Sequence, residues 1–257
     1  MKKINLNADM GESFGAYSLG NDAAMLDVVR SANIACGYHA GDPLVMSETT
    51  RLAAEKGVSI GAHPSFPDLQ GFGRRKMSIP LDELEAMVVY QIGALMSIAA
   101  SRGTSVTHVK PHGALNNMAC VDKDMALAIA RAVKSVSPNL ILLAPACSKL
   151  FQAGVDLELI TAAEIFADRT YDENANLTPR SEPGAVIHDP EQSADQVLSF
   201  IEAGKIITQS GVGIETPIHS ICVHGDSAGA LAIAVRVTER LKQAGYDLVA
   251  IPDLFEG

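Results

Sequence analysis

The sequence has no tryptophan, only 5% aromatic residues, and four cysteines among 257 residues. With so few rings, the core must be aliphatic. Hydrophobic residues at 47% supply it and point to aliphatic helices layered on an aliphatic sheet. Cys36, Cys120, Cys147 and Cys222 are widely spaced with no C-x-x-C pair, which excludes a disulfide scaffold and reads as reduced thiols. Cys36, beside Gly37 at a strand end, is the one candidate nucleophile among them.

Runs of positive charge are also missing, and the formal net charge of -10 repels nucleic-acid phosphates and anionic lipid head groups. No nucleic-acid partner is expected. Apolar runs such as LILLAPA fall far short of the roughly 18 residues that suggest a membrane span. The opening MKKINLNADMGE turns polar before a signal core can form, so a cytoplasmic protein without membrane attachment is expected. Both familiar nucleotide loops are lacking as well. Gly204-Lys205 is followed by Ile206 and has no upstream glycine, and Gly211-Val212-Gly213 has no third glycine at the required place. Any ATP must therefore be handled in another way or by another chain.

What is present is a repeat of strand-like and helix-like segments. KINLNAD, SANIACG, GVSIGAH, VTHVKPH, LILLAPA, LELITAAE and HSICVHGD read as seven strands. Between them, segments such as AAMLDVVR, LVMSETTRLAAEKG, LDELEAMVVYQIGALMSIAASRG, DMALAIARAVKSV, SADQVLSFIEAGK and GALAIAVRVTERLKQAG space apolar residues at three and four and often stop at glycine. Strand followed by helix, repeated, implies a parallel sheet with helices outside. Seven units and no dinucleotide fingerprint favour a single (β/α) barrel of about seven parallel strands, one domain over 1–257, against a doubly wound open sheet. One connection, 168–191, is long, polar and without helical period, as functional covers and binding loops are. Its LTPR and GAVI pieces suggest a small hairpin that would bring Arg180 to the mouth of a site.

Side chains alternate along a strand, so parity near each strand end tells which polar groups point together. Asn5, Asn7 and Asp9 share a face of the first strand. Asn33 and His39 share parity around the second, His63 ends the third, and His108, Lys110 and His112 follow the fourth. Glu164 ends the sixth, and Cys222, His224 and Asp226 align on the seventh. The opposite parity is mostly apolar, which places the polar set in the lumen at the C-terminal rim of a barrel. Each residue alone has an ordinary structural role available: Asp9 and Asp42 can cap turns or helices, and Glu12 can serve a helix N-terminus. Five of the seven histidines, however, fall close to C-terminal strand ends, which independent structural roles would not arrange. Three chemistries suit such a set: a Zn²⁺ or Mn²⁺ site with Asp9, His39 and His63 as ligands, a metal-free acid/base site with Lys110 stabilising an oxyanion, or simple capture of an anion.

The ordered blocks LNADMGESFG, NIACGYHAGDP, IGAHPSFPDLQGFGRR, VKPHGALNN, AEIFADRTY, PRSEPGAVI and CVHGDS together resemble the LamB/YcsF family over nearly the whole chain. The resemblance implies a seven-stranded barrel similar to the glycoside hydrolase/deacetylase superfamily. It also implies a hydrolase for a cyclic amide, opening 5-oxo-L-proline (pyroglutamate) to L-glutamate at the expense of ATP, together with partner subunits B and C. On that reading Asp9, His39, His63, Lys110, His112, Glu164 and His224 are expected to be catalytic. Asn7, Glu12, Asn33, Arg74, Arg180 and Asp226 are expected to bind substrate, and GFGRR to contact an anion. Asp9 or Glu164 would activate water, His112 or His224 would carry protons, and Lys110 with Arg74 or Arg180 would hold carboxylate or phosphate charge. Two other readings stand beside it: a metal-dependent, ATP-independent amide or N-acetyl hydrolase of the same barrel type, and a non-catalytic subunit that captures a small carboxylate.

Overall fold

The computed structural model describes residues 2–225 and 229–256. Seven parallel strands close on themselves: β1 (Lys2–Met10), β2 (Ser31–Ala35), β3 (Ser59–His63), β4 (Val106–Val109), β5 (Ile141–Pro145), β6 (Thr161–Phe166) and, after an antiparallel pair β7 (Lys205–Ile207) and β8 (Gly213–Glu215), β9 (Ser220–Val223), which pairs with both β6 and β1. The seven strands expected from the sequence are these seven. A further short strand, β10 (Tyr246–Leu248), pairs with the start of β1 outside the closed ring.

Eight helices surround the barrel among the described residues: α1 (Asp22–Met25), α2 (Pro43–Glu55), α3 (Leu81–Ser101), α4 (Gly113–Ala119), α5 (Lys123–Val136), α6 (Lys149–Asp156), α7 (Pro190–Ala203) and α8 (Ala230–Gln243). Their ends follow local chemistry. Asp42 caps α2 by accepting from the Leu44 and Val45 amides, with Pro43 in the first turn, so its role is that of a cap. Asp189 and Pro190 repeat the device on α7, which Gly204 ends in a left-handed conformation. AAMLDVVR forms only the four-residue α1 before the chain turns into β2. α3 is long and apolar enough to cross a membrane by length and composition; here one face, Leu84, Val88, Ile92 and Leu95, is buried in the core between barrel and helices. Burying each such side chain contributes roughly 1.5–3 kcal/mol.

Strand parity divides the residues cleanly. Ile4, Leu6, Ala8 and Met10 of β1 join the main core beneath the helices, while Asn5, Asn7 and Asp9 point into the lumen and bond to one another's neighbours. The lumen is layered. At its N-terminal end Ile251, from the C-terminal segment, sits with Ile141, Leu143 and Ala162. Around them a neutral polar ring forms: Asn5 Nδ2 donates to Ser31 Oγ (2.8 Å) and to the Val249 carbonyl (2.7 Å), Ser220 donates to Asn5 Oδ1 (2.6 Å), and Ser31 meets Ser59 (2.6 Å). Above it, the His108 ring occupies the space beside Gly61, where a Cβ would lie 2.2 Å from His108 Nε2. Only glycine fits there, and the β3–β4 register shifts at that residue.

Candidate functional site

At the C-terminal end of the lumen the polar layer becomes ionic. Lys110, just past β4, is fully buried and its ammonium donates to Asp9 Oδ1 (2.9 Å) and to Cys222 Sγ (2.9 Å), with Glu164 Oε1 at 3.2 Å. Burial alone lowers the affinity of Lys110 for its proton. Asp9, Cys222 and Glu164 outweigh that and hold its pKa well above the ordinary lysine range. Asp9 is buried, yet its neighbours His63 and Lys110 keep its carboxyl well below the usual value. Glu164 differs: burial raises it, Lys110 only partly offsets that, and Asp9 adds repulsion. One lysine is thus shared by two carboxylates that titrate in opposite directions. Glu164 Oε2 is buried without a hydrogen-bond partner, whereas Oε1 takes the Asn7 amide at 2.8 Å.

Asn7 and Asn33 lie one level below. Asn33 Nδ2 donates to Asn7 Oδ1 (2.8 Å) and Asp9 Oδ1 (2.9 Å), and Asn33 Oδ1 accepts from His108 Nε2 (3.0 Å). They orient the ionic layer from beneath. His108, enclosed there, is pushed down to about 3 by burial and by Lys110, and is a neutral donor.

A pocket of about 290 Å³ opens above, lined by Asp9, His63, Arg74, Lys110, His112, Phe166, Arg169, Thr178, Arg180 and His224. Its floor is the ionic layer and its far wall is the 168–191 excursion. That excursion does not pair LTPR with GAVI. Both flank the segment after β6, with bridges Arg169 to Val186 and Tyr171 to Leu177, because Arg169 is buried and donates to the Thr178 and Ala185 carbonyls. Arg180 still reaches the mouth. In GFGRR the two arginines part: Arg74 lines the pocket over the Phe72 ring, whereas Arg75 is bound to Asp68.

Beside the pocket lies a buried imidazole cluster. Glu12, His39, His63 and His112 each offer a ligand atom, all within 4.8 Å of one another. This group shares His39 and His63 with the set expected from the sequence, Asp9, His39 and His63, and has Glu12 and His112 where that set has Asp9. Asp9 Oδ1 is taken up by Lys110, and Oδ2 stands 3.4 Å from His63 Nε2 at the edge of the cluster. Glu12 and His112 take its place because Gly11, at φ 66°, and the turn at Pro111 break the strand parity. The Phe72–Gly73 turn closes over the cluster. Phe72 is left-handed at φ 54°, and a Cβ on Gly73 would lie 2.8 Å from His39 Cβ and 2.9 Å from His112 Cδ2. Burial holds His39 and His112 well below the ordinary histidine range, helped by the neighbouring imidazoles.

His224, on the opposite wall, is held by Asp168 at 2.8 and 2.9 Å. Burial raises the Asp168 carboxyl, but His224, Arg180 and Arg169 bring it below its ordinary value. Sequence reasoning misses Asp168 and Arg169, although Asp168 continues the parity of Glu164 and Phe166. Cys36 is excluded as a nucleophile: burial pushes its thiol up to about 12 and its Sγ donates to the Ile34 carbonyl. Asp226 lies outside the described residues.

A closed parallel barrel with helices outside and its charges gathered at the C-terminal rim is a β/α barrel. A polysaccharide deacetylase from Bacillus cereus shares that fold at 13% identity, with a TM-score of 0.51 over 97% of this chain and 92% of that one. The chain belongs to the LamB/YcsF family, whose model matches residues 4–255. It is 56% identical to the 5-oxoprolinase A subunit of Azoarcus sp. over 100% of both chains, and 50% identical to the protein of that name from Bacillus subtilis over 98% of both. It is also similar to the lactam utilization protein of Thermus thermophilus, at 42% identity and a TM-score of 0.91 over 96% of this chain and 99% of that one.

Proposed function

We propose that this chain is the ring-opening subunit of a 5-oxoprolinase, which converts 5-oxo-L-proline to L-glutamate with ATP supplied through two partner subunits, B and C, in the cytoplasm. The observation that carries the reading is Lys110, shared between Asp9 and Glu164 at the floor of a small pocket whose mouth carries Arg74 and Arg180. The relatives that bear the names of a 5-oxoprolinase component and a lactam utilization protein support the substrate class. A lactam bearing one carboxylate needs a cation for that carboxylate, a second for the carbonyl oxygen, a base for water and an acid for the departing nitrogen.

The chain has no phosphate-binding loop of either familiar type, so ATP is assigned to the partner subunits, which would phosphorylate the lactam oxygen. In this pocket Arg74 and Arg180 hold the carboxylate and phosphate, and Lys110 faces the activated oxygen. Water adds to the carbonyl carbon as Asp9 or Glu164 accepts its proton. The carbon–nitrogen bond then breaks, with His112 or His224 delivering a proton to the ring nitrogen. The product is γ-phosphorylated glutamate, from which a second water releases phosphate. His39 and His63 support His112, while Asn7 and Asn33 orient the carboxylates from below. Glu12 belongs to the imidazole cluster and does not line the pocket.

The test is glutamate formation from 5-oxoproline and ATP by the partner subunits with and without this chain. Formation only with the chain present is the expected result; none, with partners competent to hydrolyse ATP, rejects the reading. A second reading, amide or N-acetyl hydrolysis without ATP, is favoured by the Glu12, His39, His63, His112 cluster, and it requires turnover that persists when ATP is withheld.

A further inference from the structure

Three ring nitrogens and one carboxylate oxygen converge beside the pocket, and the hydrogen bonds around them fix which nitrogens carry hydrogens. His63 Nδ1 lies 2.6 Å from the Lys110 carbonyl, and His112 Nε2 lies 2.9 Å from the Phe72 carbonyl. A carbonyl only accepts, so both of these nitrogens are N–H donors. In the neutral imidazoles the remaining nitrogens, His63 Nε2 and His112 Nδ1, carry lone pairs, and they face each other at 3.0 Å. Two lone pairs at that distance repel unless something positive lies between them. Glu12 Oε1 stands 3.7 Å from the same His112 Nδ1 and 3.3 Å from His39 Nε2.

A shared proton would reconcile the His63–His112 pair alone, whereas His39 Nε2 and Glu12 Oε1, 3.3 Å apart, converge on the same space. His39 is buried with Nδ1 lacking any partner, and its ring stacks on His112 at 3.8 Å. A cation can engage one donor atom from each of the four residues, since these atoms all lie within 4.8 Å of one another. In a tetrahedral zinc site with bonds of about 2.1 Å the ligand atoms are roughly 3.4 Å apart. The separations of 3.0, 3.3 and 3.7 Å bracket that value. His63 and His112 also show the habit of metal-ligating imidazoles, each donating its other N–H to a fixed carbonyl that sets tautomer and ring orientation.

We propose that Glu12, His39, His63 and His112 form a binding site for a divalent transition-metal ion, zinc by donor type, with Asp9 beside the ion rather than among its ligands. Imidazole and carboxylate donors without thiolate suit Zn²⁺, whereas Mg²⁺ takes oxygen ligands and is not matched by three imidazoles. When bound, such an ion would polarise a nearby carbonyl or water, and with His112 held as its ligand, proton delivery falls to His224. The proposal concerns binding alone and holds whether or not ATP is needed for turnover.

The test is metal content of the full-length chain after incubation with zinc and exhaustive dialysis, by plasma mass spectrometry. Cobalt titration followed by visible absorption is the second readout. Wild type should retain about one equivalent of zinc and show tetrahedral cobalt bands, and Glu12→Gln and His39→Asn should each weaken binding by at least ~10-fold. Glu164→Gln, in the neighbouring ionic layer, should keep both signals. Circular dichroism establishes that each variant is folded. A folded wild-type chain that retains no zinc above the level of the His39→Asn variant overturns the site, leaving a shared proton between His63 and His112. Zinc retained equally by the Glu12→Gln and His39→Asn variants overturns it too.

Discussion

The two ends of the barrel lumen are built from the same strands, a few residues apart, and they treat polar groups in opposite ways. At the N-terminal end Asn5, Ser31, Ser59 and Ser220 are neutral, and their side chains bond to each other and to the C-terminal plug. At the C-terminal end two carboxylates compete for one lysine, and Glu164 Oε2 and His39 Nδ1 are buried without partners. A closed neutral network stabilises a fold, whereas a charged layer with atoms left over holds its groups ready for something else. The lower ring is therefore assigned to stability and the upper layer to chemistry.

The sharpest way to break that assignment is Lys110→Met. It leaves Asp9 and Glu164 without their shared cation, so glutamate formation should vanish and stability fall by about 3–5 kcal/mol in denaturant titrations. Near-normal turnover would move the chemistry elsewhere. Glu164→Gln should separate the two effects: turnover drops by roughly 10²–10⁴-fold while the melting temperature holds or rises. Its sign follows from burial. The folded carboxyl titrates above its ordinary 4.5, so the ionised form weakens the native state as pH rises through that window. The glutamine variant should lack this loss.

In the lower ring, Ser31→Ala should cost about 1–3 kcal/mol by leaving Asn5 and the Ile251 amide short of a partner. Turnover per folded molecule should be unchanged; a catalytic defect would erase the contrast between the two ends. The smallest effect is expected at the mouth. Asp168 has a folded carboxyl below its ordinary 3.8, so its pairing with His224 contributes above that pH and is lost as pH falls through the lower folded value. Melting temperature against pH should fall less steeply on the acid side in Asp168→Asn, by on the order of 1 kcal/mol.

Much of this contrast is legible in the chain. Period-two alternation puts Asn7, Asp9, Asn33, Lys110 and Glu164 on the lumen face, and the structure places them there together. Legibility stops where the backbone leaves the strand. Glu12 follows Gly11 and His112 follows Pro111, so neither can be ranked by parity, and the candidate ligand set read from the sequence holds Asp9 and neither of them. Asp168 and Arg169 are hidden in a segment that reads as a cover, because a polar loop gives no period to count. The short helices α4 and α6 and the strand β10 escape notice because seven, eight and three residues are too few to display one.

By itself the sequence determined a seven-stranded barrel, its apolar exterior beneath the helices and the side chains that enter its lumen, since these depend on local period, capping and turn chemistry. Only the tertiary structure decided which nitrogens face each other. That choice rests on ring closure between β1 and β9, on the shifted register of β3 and β4, and on a left-handed turn at Phe72 and Gly73 packed over the histidines. These are distances of a few tenths of an ångström between groups far apart in the chain, fixed by packing rather than by any local pattern.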